Sequence, residues 1–269
     1  MSWPPLSDDV LVQPGLDVND LYDRFEVFEA LHHGLEIASP MSSGDLDVVI
    51  DLLAPADAET MVDLACGTGE LLIRSAQRAR VFGTGVDLSP WMIGAAHRRS
   101  QASGLPDLRW AVAEARDWPV VGADVVACLG ASWVWHGLGG TIRAVAERAG
   151  PGGRVAVGDM RRADDVSAEA LAATHGPLPG RPEIDRMFAD NGLEVIGRVT
   201  TSLADWADYR ERTRAAFERW VRTTASPRVE EFQEVLAAWE ADQRRDADVL
   251  VWSVWVGRRV DGPSGDCER

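Results

Sequence analysis

The chain has 269 residues, 46% of them apolar, and sets 27 basic residues against 43 acidic ones for a formal net charge of −16, so it can bury a substantial core. All 27 cations are arginine; without lysine there is no Schiff-base chemistry, no lysine general base and no P-loop, whose lysine must reach the phosphates. The negative charge repels phosphate backbones and no basic stripe offsets it, which argues against nucleic acid as a partner and for a small-molecule substrate.

Residues 1–20 carry Asp8, Asp9 and Asp17 and lack a basic n-region and an apolar h-region, so no signal peptide is expected. No apolar run approaches the ~20 residues that span a bilayer, which predicts a soluble, cytoplasmic protein with no membrane partner. Cys66, Cys128 and Cys267 are an odd number at spacings that fit no zinc template, and Cys66 and Cys128 read as small core residues.

From 17 to 37, Leu21, Phe25, Phe28, Leu31 and Leu35 recur at steps of three and four, predicting an amphipathic helix, and a second helix follows over 43–53. After Pro55 a strand-like run over 60–66 leads through Gly67-Thr68-Gly69 into a helix over 70–79. A strand over 81–88 passes through Ser89-Pro90 into another helix, because Ser is a favoured N-cap and Pro fits the first turn. The alternation continues with strands over 108–113 and 123–130, a helix over 138–149 and a strand over 154–159 after Pro151-Gly152-Gly153. Such alternation predicts an α/β fold with a parallel sheet covered on both faces. A helix over 182–191, a strand over 193–201, a helical stretch over 204–247 broken at Ser226-Pro227 and a last strand over 249–257 complete the chain; the polar tail 261–269 is expected to be disordered.

The densest chemical signal is Val62-Asp63-Leu64-Ala65-Cys66-Gly67-Thr68-Gly69-Glu70, at a strand end with a helix behind it. Glycine there lets a ligand lie against bare backbone at a helix N-terminus. Gly83-Thr84-Gly85-Val86-Asp87 then ends the next strand on an acid that can accept both ribose hydroxyls. Together they describe a nucleoside-binding site. A nicotinamide fingerprint would need a third small residue where Leu72 stands.

In this order and spacing the motifs resemble those of the class I S-adenosylmethionine-dependent methyltransferases of the small-molecule type, over about 60–159 and more loosely to Val256. Asp63-x-Ala65-x-Gly67-x-Gly69 resembles the family's first motif, with Ala65 where glycine is commoner, and Asp87 falls where the ribose-binding acid lies. Ala113-Glu114-Ala115-Arg116-Asp117-Trp118-Pro119 resembles the adenine-proximal segment, with Glu114 where Asp is frequent. Ala149-Gly150-Pro151-Gly152-Gly153-Arg154 is similar to the turn before the family's fifth strand. The resemblance implies a doubly wound, mostly parallel seven-stranded sheet (a Rossmann-like methyltransferase fold) with a reversed last strand, and S-adenosyl-L-methionine as cofactor. It also implies cofactor contacts at Asp63, Ala65, Cys66, Gly67, Gly69, Asp87, Leu88, Met92, Glu114, Ala115 and Leu129. The domain organisation expected is an N-terminal helical cap, 1–54; a cofactor-binding core, 55–202 and 248–260; and a helical insertion covering the substrate site, 203–247.

Methyl transfer from a sulfonium asks the protein mainly for alignment and for deprotonation of the nucleophile. His136, in Gly130-Ala131-Ser132-Trp133-Val134-Trp135-His136, is the first candidate base, weighed against a histidine that only hydrogen-bonds in the core. Asp159 is the second, with Arg161 or Arg162 beside it able to hold an anionic substrate group, against a solvated loop. An N-terminal helix commonly packs over the cofactor in the resembled family, so Tyr22, His32 and His33 are candidate substrate contacts. No metal is expected: adjacent His32 and His33 point about 100° apart on a helix, and the magnesium-dependent catechol branch would want acids where Gly130-Ala131-Ser132 stands. Among eleven tryptophans, Trp133 and Trp206 read as pocket walls, and Trp110, Trp220, Trp239, Trp252 and Trp255 as core.

The function expected is methyl transfer to an oxygen or nitrogen of a small, partly apolar metabolite, with secondary metabolism as one setting. Leu129-Gly130-Ala131-Ser132 lacks the Asn/Asp-Pro-Pro-aromatic tetrad of enzymes that methylate nucleic-acid bases. The rival readings are a catalytically inactive cofactor-binding partner or scaffold, and a nicotinamide dehydrogenase. Oligomeric state is left open, a homodimer being one arrangement.

Overall fold

Eight strands form one sheet in a computed structural model that describes residues 3–260; the tail expected to be disordered, with Cys267, lies outside the described residues. The strands are β1 (Leu11–Val12), β2 (Thr60–Leu64), β3 (Phe82–Asp87), β4 (Leu108–Val112), β5 (Ala123–Leu129), β6 (Ala149–Arg162), β7 (Leu193–Thr200) and β8 (Leu250–Arg259). Their order is β1-β4-β3-β2-β5-β6-β8-β7, parallel except for β8, which runs antiparallel to both neighbours. Strands β3 and β4 lie on one side of β2, while β5 and β6 lie on the other. The winding therefore reverses between β2 and β5, which opens a crevice at the strand carboxyl ends.

The helices are α1 (Val18–Arg24), α2 (Glu26–His32), α3 (Ser43–Leu53), α4 (Glu70–Arg78), α5 (Pro90–Ala102), α6 (Leu138–Arg148), α7 (Ala168–His175), α8 (Arg181–Asp190), α9 (Leu203–Thr223) and α10 (Val229–Asp246). Both sheet faces are covered. On β5, Val125 and Ala127 pack with the core that includes Leu46, Ile50 and Ile93, while Val126 and Cys128 pack on the other face with Ile142, Val145 and Phe188. That is why the central strands read as continuous apolar runs. Helix α2 packs on α9 and α10 through Ala30, Leu31, Phe217, Trp220, Phe232 and Leu236, so the N-terminal segment and the helices before β8 share one core beyond the sheet.

Four features differ from the sequence expectation. The sheet has eight strands, not seven, because β1 pairs in parallel with β4; two residues are too few to display a period-two pattern. The helix expected over 17–37 is two helices that meet at Phe25 (φ −98°, ψ 8°), and α2 stops at His32 before Gly34 at φ +73°. Leu21 then packs in the core over the sheet, Leu31 against α9 and α10, and Leu35 beside Tyr209, while Phe28 is left half-exposed. The strand expected to end at Asp159 runs on to Arg162, paired with β8 throughout. Finally, a 3-10 turn over Ser132–Trp135 and the helix α7 carry no clear periodic signal.

Candidate active site

The loop from β2 into α4 is built from left-handed residues. Gly67 and Gly69 have φ of +54° and +73°, and Ala65 adopts +59°, a region in which an alanine carries modest strain. A Cβ on Gly67 would meet nothing within 4 Å, so this stretch of backbone faces open space; the same holds at Gly130 beyond β5. Gly69 and Gly85 are glycine for another reason. A Cβ on either would lie 2.3 or 2.4 Å from the Trp110 ring, which is packed beneath the loop.

Asp87 ties the two strand ends together. Its Oδ2 accepts the Gly67 N–H at 2.9 Å and its Oδ1 the Ser89 N–H at 2.8 Å, and each oxygen keeps a lone pair for a ligand hydroxyl. Behind it the Ser89 hydroxyl caps α5 by accepting the Met92 N–H. Buried Glu70, in the first turn of α4, is held by Arg74 at 2.6 Å and by Arg99, which also donates to the Thr68 carbonyl. The Thr68 hydroxyl in turn donates to the Glu36 carbonyl, joining the glycine loop to the segment after α2. Glu114, beyond β4, donates its backbone N–H to the Gln13 side-chain oxygen at 2.9 Å.

Burial, with the Asp87 carboxylate nearby, pushes Asp63 up from 3.8 to about 8, and burial also raises Asp87. Asp63 thus stays protonated in the folded protein at pH 7 and ionises in the unfolded chain. The contribution of this group to stability is complete below about pH 4 and is lost as pH rises toward 8. Urea unfolding of Asp63→Asn should accordingly show a weaker decline in stability between pH 5 and pH 8 than the native protein. Parallel declines would contradict the buried-acid assignment.

These groups open into one cavity of about 450 Å³, within the size range of small-molecule and cofactor sites. Its floor is made by the strand ends, and Asp63, Ala65, Cys66, Gly67, Asp87, Leu88, Met92, Glu114, Ala115 and Leu129 all line it; Gly69 does not, supporting the loop from behind. Burial raises the Cys66 thiol well above its ordinary value, so it sits there as a neutral group. The far wall is aromatic: Phe25 and Phe28 from the N-terminal helices, Trp206 and Tyr209 from α9, and Trp239 from α10. Trp133 is 64% exposed and also lines the cavity, which places it at the mouth.

The catalytic expectations fare unevenly. His136 is exposed, closes the 3-10 turn at φ +61° and does not line the cavity, because that turn uses up the residues between it and β5. The structure thus places His136 outside the cavity, away from the position expected of a base. Asp159 does line the cavity, yet its oxygens accept the Ser132 N–H at 2.8 Å and the Met160 N–H at 2.7 Å, so it anchors the turn after β5. Arg161 is 4% exposed, reaches Ser253 and Asp164, and faces away from the cavity, as does Arg162, bound to Glu183; neither is placed to hold a substrate anion.

Of the N-terminal candidates, His32 lines the cavity; Tyr22 and His33 do not. Tyr22 donates to the Pro4 carbonyl at 2.7 Å and packs with Trp3 and Trp91, and His33 pairs with Glu29 at 2.6 Å. Trp206 lines the cavity as expected, and Trp239 and Trp252, expected as core only, line it too. Tyr209 and Gln243 escaped sequence reasoning. Tyr209 was detectable in principle, since it lies three residues after Trp206 and therefore on the same helix face. No cluster of three or more potential metal ligands occurs among the described residues, and no described helix is long and apolar enough to cross a membrane.

A family profile described as a methyltransferase domain matches residues 61–164. The chain is 26% identical over 212 residues to the uncharacterized protein YjhP of Escherichia coli, covering 75% of this chain and 83% of that protein. It is 27% identical over 198 residues to the ubiquinone/menaquinone biosynthesis C-methyltransferase UbiE of Dinoroseobacter shibae, covering 68% and 72%. Its fold matches the S-adenosylmethionine-dependent methyltransferase of Thiobacillus denitrificans, solved with S-adenosyl-L-homocysteine, with a TM-score of 0.75 and 26% identity over 86% of this chain and 97% of that one.

Proposed function

The chain is a class I S-adenosylmethionine-dependent methyltransferase, and from that premise we propose that it methylates an oxygen or nitrogen of a small, largely apolar acceptor that carries no net negative charge. The observation that carries this reading is the continuity of a single cavity from strand-end carboxylates and bare glycine backbone to an aromatic wall. The floor fits a nucleoside ligand: open backbone at Gly67, paired lone pairs at Asp87 for ribose hydroxyls, and Glu114 as an acceptor for an exocyclic amine. S-adenosylmethionine, when bound, supplies a methyl group on an already activated leaving group.

Charge narrows the acceptor. Glu36, Asp87, Glu114 and Asp159 line the cavity together with Asp63, which burial keeps neutral, and Glu70, which Arg74 and Arg99 hold, against one lining guanidinium, that of Arg116, which donates to the Val134 carbonyl. Such a field suits a cationic cofactor and penalises an anionic acceptor. Aromatic faces at Phe28, Trp206 and Trp239 suit a flat apolar body. Asp159 serves this scheme by fixing the turn that carries Trp133, and the candidates for proton removal lie on the opposite wall.

Calorimetric titration with S-adenosylmethionine, S-adenosylhomocysteine and NAD checks the reading. The first two should bind and NAD should not. Binding of NAD alone would overturn it in favour of a dehydrogenase.

A further inference from the structure

A partly buried hydrogen-bond chain on the aromatic wall has no part in holding a nucleoside. The His32 Nδ1 lies 2.9 Å from the Phe28 carbonyl, and a carbonyl can only accept, so Nδ1 carries a proton. In the neutral ring Nε2 is then an acceptor, and the Tyr209 hydroxyl lies 2.8 Å from it. The phenol proton is shared between His32 Nε2, the shorter contact, and the Ala38 carbonyl at 3.2 Å, and the Tyr209 oxygen has lone pairs left. Tyr209 is buried and both residues line the cavity. The ring geometry is fixed on all sides: Tyr209 meets Trp239 edge-on at 5.4 Å and Trp206 at 6.2 Å, and the Arg212 guanidinium lies 5.4 Å above its ring.

We propose that Tyr209 is the catalytic proton acceptor and His32 the residue that positions and recharges it, and that the acceptor substrate is an uncharged hydroxyl compound with an apolar, aromatic-sized body. This rests on the methyltransferase reading above. An amine attacks with its lone pair and needs no base before bond formation; a neutral hydroxyl does need one, which is what this chain of groups provides. As the acceptor oxygen–carbon bond forms and the carbon–sulfur bond breaks with its electron pair left on sulfur, the hydroxyl proton passes to the Tyr209 oxygen. The phenol proton passes to His32 Nε2, leaving an imidazolium whose Nδ1–H remains on the Phe28 carbonyl. One positive charge thus moves from sulfonium to imidazolium, and the atoms balance.

Two further observations agree. Burial lowers the pKa of His32 and raises that of Tyr209, keeping the resting pair neutral; the charged groups around the pair are Glu29 on α2 and Arg212 on α9. The buried Oε1 of Gln243, on α10, finds no hydrogen-bond partner among the described residues although Gln243 lines the cavity. It can accept from a second polar group on the same acceptor.

The test uses uncharged phenols from phenol to 2-naphthol, with 2-naphthoate and 2-naphthylamine as controls, on the native protein, Tyr209→Phe and His32→Gln. Calorimetry first establishes that all three proteins bind S-adenosylmethionine within about twofold of one another; failure of the native protein to bind would fail the methyltransferase reading instead. At least one phenol should then be methylated and 2-naphthoate should not. Tyr209→Phe should lower kcat about 10²-fold, the usual scale of general-base loss, with KM for the cofactor unchanged. His32→Gln keeps an acceptor for the phenol but cannot take its proton, so its rate should be low at neutral pH and recover only as pH rises. The proposal is overturned by a cofactor-binding native protein that methylates no phenol, by preferred methylation of 2-naphthylamine, by native turnover in Tyr209→Phe, or by an unchanged pH profile in His32→Gln.

Discussion

Replacing Asp87 with asparagine should weaken S-adenosylmethionine binding about 10²-fold or more while leaving the protein folded. The carboxylate accepts backbone N–H groups from both loops of the site, at 2.9 and 2.8 Å, and its remaining lone pairs face the cavity. An amide offers one oxygen where two are needed, and its NH₂ confronts a backbone donor. Two lost hydrogen bonds to a charged acceptor, at about 1.5–3 kcal/mol each, correspond to at least that change in affinity. Folding should suffer less. The amide oxygen can still accept one of the two loop N–H groups, and Asp63, kept neutral mainly by its burial, needs no counter-charge from position 87. Calorimetry reads the affinity and circular dichroism the fold; near-native affinity would remove Asp87 from the cofactor site.

Gly69→Ala should act in the opposite sense, unfolding the protein before it touches the ligand. The new methyl group would lie 2.3 Å from the Trp110 ring and 2.9 Å from the Ala96 Cβ, on a backbone at φ +73°. Neither neighbour can retreat, because Trp110 is 1% exposed and its Nε1 is fixed on Ser100. Left-handed strain of about 1 kcal/mol adds to overpacking of about 1–3 kcal/mol, and at about 2–4 °C per kcal/mol the thermal midpoint should fall by roughly 5–15 °C. Gly67→Ala makes the matched control. Its Cβ meets nothing within 4 Å, so at φ +54° that variant should lose only about 1 kcal/mol to left-handed strain, without the overpacking, and lose cofactor affinity. Equal midpoints for the two variants would contradict the packing account.

The contrast between these two glycines shows what the sequence could and could not convey. A glycine-rich strand end followed by a helix, and an acid at the next strand end, are local patterns, and the floor of the cavity assembles from them in the expected order. The helices α3, α4, α5, α6 and α8 likewise follow from local periodicity and capping, Ser89-Pro90 being one clear case. Which glycine faces the ligand and which makes room for Trp110 depends on a residue about 40 positions away, and nothing local marks it.

The far wall was harder to read because it joins segments distant in the chain. His32 meets Tyr209 across 177 residues, and the pairing arises only once α2 packs on α9 and α10. His136 illustrates the converse error. Proximity in sequence to the end of β5 suggested proximity in space, and a four-residue 3-10 turn was enough to carry it out of the cavity. Arg161 failed in the same way, since β6 continues past Asp159 in register with β8 and turns the guanidinium toward Ser253.

If this cavity carries methyl transfer to a small molecule, the methyl group itself can be followed. The native protein and Asp87→Asn would each be incubated with methyl-labelled S-adenosylmethionine and a protein-free metabolite extract, and the label in low-molecular-weight products measured after removal of the cofactor. Label should appear in an apolar product that is uncharged or cationic with the native protein, and almost none with Asp87→Asn. Tight cofactor binding by the native protein with all label remaining on the cofactor would contradict it and leave a binding protein without catalysis.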